Sequence, residues 1–326
     1  MNSIRARLNI ALLSALLSLA LPCFVYCQKE GQPADEPYAG EFAGWQVKVP
    51  LNNYYFVRSV LNVFGTRWGA TPQNEKEIEE RIWEQLALSF EAFKRGIKVE
   101  TPEVEEEVGK ILKDEKVGFD WKKDPAAYEK WVKEKTHEPV NFFQNQLTHL
   151  IQLEKLRKQV LESIKPAVSE DEARDEYINE YNTIELELVQ FDQLKDAQDY
   201  YKKMRDPALW DKQAQKDPKF FKRPGFVSFE FLINMWIIPK ADLYKMLKME
   251  VNSIYPPTPI YKGYGVFRII KKREADPAEF PKLRDSYFKQ VENIKKYEGL
   301  NNWVKKLKEE ARIVIYPKPE PAVKGK

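Results

Sequence analysis

In 326 residues this sequence holds only two cysteines, two histidines and 13 glycines, and its formal charge is +3. Each scarcity excludes something. Both cysteines, Cys23 and Cys27, fall in the N-terminal apolar run, so the rest of the chain can build no disulfide framework, Cys-ligated zinc site or thiol nucleophile. His137 and His149 lack the spacing of a zinc pair and no carboxylate group marks them out, so a solvated or helix-packing role is expected for both. There is no phosphate-binding GxxxxGK[ST] or GxGxxG loop. Near-neutral charge argues against a nucleic-acid partner, which would need a basic stripe. Long apolar runs are also rare, with one exception at the start of the chain.

That exception is IALLSALLSLALPCFVYC, preceded by Arg5 and Arg7 with no acid. A basic segment followed by an apolar one is the pattern of a secretory signal peptide, expected over 1–27, with a retained membrane anchor as the alternative. Cys23 and Cys27 fit a lipidation site poorly, because the residues before them are neither small nor correctly spaced. A membrane association is expected only if the chain is lipidated or the signal uncleaved.

What is abundant is charge, at 32%, and aromatic residues, at 13%. Residues 28–44 read as a polar linker rich in Pro and Gly. WQVKVPLNNYYFVRSV then alternates around Asn52-Asn53, which predicts a short hairpin. Asn74 and Glu77 have capping-box spacing before a helix that Gly96 should close, with Ile78, Ile82, Leu86 and Phe90 on its apolar face. Thr101-Pro102, Asp124-Pro125 and Glu138-Pro139 open three more helices, the last running to Pro166. Ser169 and Glu172 open another. From Thr183 the period changes to two, so TIELELVQF reads as a half-buried strand. Further short helices lead to NSIYPPTPIYKGYGVFRII, read as a proline-stiffened rim followed by a strand. A long helix after Pro277 and a terminal strand at Ile313–Tyr316 complete the chain, with 317–326 as a disordered tail. The terminal strand is expected to pair with the one near Val47.

In this order the segments LALSFEAFKRGIKVETPEVEEEV, HEPVNFFQNQLTHLIQLEKLRKQV and VSEDEARDEYINEY resemble SurA-type periplasmic chaperones and their PrsA and PpiD relatives. The likeness continues through PGFVSFEFL to the C-terminal helix and strand, and covers nearly everything after residue 45. It implies an α+β, mostly helical protein. A helical chaperone domain (28–168) is completed by a C-terminal helix and strand (276–316), with a small α/β parvulin-like domain (169–275) inserted between.

In active members of that family, the first and last strands of the parvulin sheet each carry a histidine. Here Leu188 or one of its neighbours stands at one position and Val266 or Phe267 at the other, and the family's glycine-rich turn is reduced to Gly225. The resemblance therefore implies an exported, ATP-independent chaperone of the periplasm or cell envelope that holds unfolded or nascent envelope proteins and aromatic-rich peptides. No catalytic residue, cofactor or metal is expected. A divergent prolyl isomerase, or a scaffold or adhesin on the same fold, is the alternative. Peptide contacts are expected at Trp131, Phe142 and Phe143 in the helical domain, and at Met235, Leu243 and Phe267 in the parvulin-like one.

Overall fold

The computed structural model describes residues 37–65 and 72–317. The expected signal peptide, both cysteines and the tail from 318 lie outside the described residues. The chain divides into two compact units, with the second (166–295) inserted in the first (up to 165 and from 296). The sequence reading put these boundaries at 168/169 and 275/276. The difference at the far end arises because the first half of the last helix packs within unit two.

Unit one starts with strands β1 (Tyr38–Phe42) and β2 (Val47–Pro50), followed by helices α1 (Leu51–Phe64), α2 (Glu75–Lys94), α3 (Thr101–Asp114), α4 (Pro125–Thr136) and α5 (Val140–Ser163). Unit two holds α6 (Glu170–Tyr181), β3 (Thr183–Phe191), α7 (Leu194–Lys203), α8 (Pro207–Lys216), β4 (Phe226–Ser228), α9 (Phe229–Trp236), α10 (Lys240–Lys248), β5 (Ile254–Ile260) and β6 (Gly263–Arg273). Helix α11 (Phe280–Ala311) begins in unit two and ends in unit one, where β7 (Ile313–Ile315) follows. The protein is thus α+β and mostly helical.

Helix starts follow the side-chain chemistry. Asn74 accepts from the Glu77 amide, Asp124 from that of Ala127 and Ser169 from that of Glu172. The Ser169–Glu172 box is reciprocal, and Lys295 adds an ion pair to Glu172 at 2.5 Å. That ion pair, together with the Ser169 backbone amide, holds the Glu172 carboxyl down at about 2.

Two expectations fail near the N-terminus. The Asn52-Asn53 stretch is helix α1, not a hairpin. Leu51, Tyr54, Val57 and Val60 are buried at every third position, and this helical period outweighs the β preference of YYFV. The hairpin lies earlier, with β1 inside the segment read as linker and the turn at Ala43–Gln46. Accordingly β7 does not pair with the strand of Val47. It pairs antiparallel with β1, in the order β2-β1-β7. Gly40 permits this packing, since a Cβ there would run into the Trp83 ring and the Val314 carbonyl.

Unit two is built on an antiparallel sheet in the order β4-β3-β6-β5. The proline-rich stretch is not a loop before the sheet but its edge strand, β5. Pro256 and Pro257 sit where its register with β6 is interrupted, between Tyr255 and Thr258. An edge tolerates residues without an amide proton, which reconciles three prolines with strand structure. Gly263 then begins β6 at φ +135°, where any Cβ would strike the Phe191 carbonyl oxygen.

Candidate functional site

Side chains of the unit-two sheet alternate between two packed faces. Toward α9 and α10, Ile184, Leu186, Leu188, Phe267 and Ile269 meet Phe229, Leu232, Leu243 and Met246. Toward α7 and α8, Val189 and Val266 meet Ala197, Trp210 and Phe221. This second face also carries a buried polar cluster. Arg268 contacts Asp211 and, at 3.1 Å, Asn252, while Glu187 accepts from Trp210 at 2.8 Å and Arg223 at 2.7 Å. These groups pair with one another and so stabilise the fold, although Arg268 Nε is buried without a hydrogen-bond partner among the described residues.

The positions at which the family resemblance expects histidines come together in the structure. Leu188 lies directly opposite Phe267, and Val189 opposite Val266, and all four are buried. Gly265 lets the first pair close up, because a Cβ there would stand 2.7 Å from both Leu188 and the Phe267 ring. No proton donor or acceptor is supplied by these four side chains.

The polar group on the same face is Asp242 of α10. It accepts from Tyr255 at 2.8 Å, from Thr258 and from Lys245 at 3.0 Å. Burial pushes its carboxyl up, but the hydrogen bonds from Thr258, Tyr255 and Lys245 outweigh this and hold it below its ordinary value. Burial and the bond to Asp242 push the Tyr255 phenol well above its own. The cluster ties edge strand β5 onto α10, so its hydrogen-bonding capacity is spent internally. Sequence reasoning missed it, since an Asp in a helix and a Tyr and a Thr among prolines carry no joint signature.

An apolar rim lies at the end of α9. Phe231 and Met235, one turn apart, are 39% and 62% exposed, and Ile237 is 55% exposed. Ile237 closes the helix in the left-handed conformation, φ 56°, ψ 33°. For a β-branched side chain this is an outlier that the surrounding structure must impose. Tyr261, 58% exposed, is fastened to the same end by its amide, which donates to the Trp236 carbonyl at 2.8 Å. Here one residue, Ile237, is held in a strained conformation beside other exposed apolar side chains. Of these residues the sequence reading named only Met235; the available signal was that FEFLINMWII is too apolar to be a half-exposed surface helix.

The other named residues lie elsewhere. Leu243 and Phe267 are core residues of unit two, so neither is open to a peptide directly. In unit one Phe143 is buried, with its ring stacked on Phe64 at 5.7 Å and edge-on to Trp131 at 6.2 Å. Phe142 is half-buried against Phe56 at 5.5 Å, on another side of α5 from Trp131, which is also half-buried. These three aromatics therefore do not line one surface. The two histidines have structural places. His137 is the left-handed cap of α4. His149 is buried with its nitrogens 3.3 Å from Ser89 Oγ and Gln85 Oε1, and burial holds its imidazole down at about 4.

No protein-family model matches the chain, and no curated protein does. Among solved structures it is similar to the peptidylprolyl isomerase PrsA of Bacillus anthracis, at 15% identity and TM-score 0.41, covering 72% of this chain and 99% of that one. It is also similar to PrsA of Bacillus cereus, at 13% identity and TM-score 0.38, covering 88% and 96%. For a SurA-like chaperone of Campylobacter jejuni the values are 14% and 0.35, covering 83% and 95%. The neighbours are thus PrsA and SurA-like proteins, at identities and scores that leave the functional argument to this chain's own residues.

Proposed function

We propose that this protein is an exported, ATP-independent chaperone that holds unfolded polypeptide, and that its parvulin-like unit binds peptide without isomerising proline bonds. The observation that carries the reading is the exposed apolar rim of Phe231, Met235, Ile237 and Tyr261, in which Ile237 is held in a strained conformation. Such a rim suits aromatic or proline-bearing segments of an unfolded client. Assistance to amide rotation is a different matter. The barrier is about 18–20 kcal/mol, and lowering it calls for polar groups aimed at the peptide. Leu188, Val189, Val266 and Phe267 supply none, and Asp242 is occupied by Tyr255, Thr258 and Lys245. Export to the periplasm or cell envelope is supported by Arg5, Arg7 and the apolar run that follows.

The experiment pairs two assays on the full chain. Aggregation of a chemically unfolded client should be suppressed at near-stoichiometric ratios without ATP, and a Phe231→Lys/Met235→Lys variant should lose most of that suppression. Both side chains are exposed, so the double substitution should change stability by no more than about 1 kcal/mol. A protease-coupled assay on a Phe-Pro peptide should show no acceleration. Acceleration would favour a divergent isomerase, and undiminished suppression of aggregation by the variant would place the client elsewhere.

A further inference from the structure

Strand β7 is the edge of the unit-one sheet, and the phase of its pairing can be read residue by residue. Tyr316 donates to the Ala39 carbonyl at 3.0 Å, and Ala43 donates to that of Arg312 at 3.2 Å. Residues 312, 314 and 316 therefore turn their backbone groups toward β1. By alternation, the amides and carbonyls of Ile313 and Ile315 point the other way, where no strand lies among the described residues. The outward row stops at Pro317, which has no amide proton. Val314 and Ile315 are 42% and 48% exposed. An open edge of this kind is a template for a further strand.

Beside it is a cleft of about 550 Å³ lined by Ile313, Val304, Glu84, Arg157, Lys305, Lys308 and others of α11, and by no residue of β1 or β2. Ile313 faces the same side of the sheet as its partner Phe42, whose ring is in the core. A residue paired with the outward groups of Ile313 would share that side, and its side chain would enter the cleft. The lining is cationic by one charge, with Arg157, Lys305 and Lys308 against Glu84 and Glu309. Glu84 is shared by Arg157 at 3.5 Å and Lys308 at 3.3 Å, while Lys305 has no ion pair among the described residues.

We propose that the outer edge of β7 binds an extended peptide as a fourth, antiparallel strand, with an acidic side chain of that peptide seated in the cleft against Lys305, Lys308 and Arg157. Pairing fixes the pattern. The acidic residue lies opposite Ile313, and an apolar residue two places earlier lies opposite Ile315. The backbone supplies affinity and the cleft supplies selectivity. This goes beyond the chaperone reading, because the site is in unit one and recognises backbone and charge, not an apolar rim.

The test uses the full chain and a blocked, fluorescein-labelled nonapeptide with Val-Thr-Glu at its centre. Binding should be saturable and weaken with salt. It should fall about tenfold when the Glu amide is N-methylated, the loss of one backbone hydrogen bond at the edge. Replacing the peptide's Glu by Gln, or Lys305→Glu in the protein, should each weaken it about fivefold, the scale of one partly exposed ion pair. Hydrogen exchange at Ile313 and Ile315 should slow on addition of peptide. Ile315→Pro, which removes an outward amide and leaves the β1 ladder intact, should abolish binding. Equal affinity for the N-methylated peptide, or protection only at other amides, would overturn the proposal. So would protection of Ile313 and Ile315 without peptide, whether lost in a chain ending at Pro317 or accompanied by a dimeric mass. Either would show that the edge is already occupied.

Discussion

Ile237 carries the account at the scale of one residue. The left-handed conformation costs an ordinary residue about 1–2 kcal/mol and glycine almost nothing. Helices commonly end on glycine there. An exposed isoleucine in that position stabilises nothing that the fold requires. Ile237→Gly should therefore raise unfolding stability by about 1 kcal/mol. It should also weaken retention of an unfolded client a few-fold, since it removes apolar surface from the rim. Denaturant melts and client-binding titrations on the same protein read both effects. A lower stability, or unchanged client binding, would detach Ile237 from the proposed function. Met235 was open to sequence reasoning because its place could be matched to a family position. Ile237 and Tyr261 were not, because the strain at one and the tether of the other exist only after α9 and the β5–β6 turn have folded.

At the scale of elements, the packing of α2 against α5 contains a titrating group. His149 of α5 is buried near Gln85 and Ser89 of α2, with the Phe56 ring edge-on at 5.6 Å. Burial holds its imidazole at about 4, below the ordinary 6.5. Between those values the unfolded chain takes up a proton that the folded chain refuses. Stability is therefore complete above pH 6.5 and declines as the pH falls toward 4, by on the order of 3 kcal/mol. His149→Gln keeps hydrogen-bonding capacity and does not titrate, so its stability should vary much less across that window. Urea melts from pH 7 to 4.5 decide the matter, and equal slopes for the two proteins would contradict it. The helices themselves were legible because their signals are local. Asn74, Asp124 and Ser169 each satisfy an amide within their own first turn. Strand pairing was not legible in the same way. The choice of β1 over β2 as partner of β7 depends on Gly40 admitting Trp83 and Val314, contacts between residues far apart in sequence.

At the scale of the whole molecule, a chain whose two ends build one unit encloses a second unit with its own sheet and cores. The fold class and the order of elements were readable from periodicity, caps and the family resemblance. Phe143, Leu243 and Phe267, expected as peptide contacts, are buried, and the reason that the sequence does not show this is physical. Periodicity marks a side chain as apolar, but only packing decides whether it faces a neighbour or solvent. The central claim concerns unit two, that it holds peptide and does not turn proline bonds. Exchange NMR on the full chain with an unfolded Phe-Pro peptide tests both halves in one sample. Uncatalysed exchange takes on the order of tens of seconds, so acceleration is easily seen. The account predicts peptide-induced shifts at Phe231, Met235, Ile237 and Tyr261 with cis–trans exchange no faster than in free peptide. Exchange accelerated by the protein, or shifts that leave those four residues untouched, would contradict it.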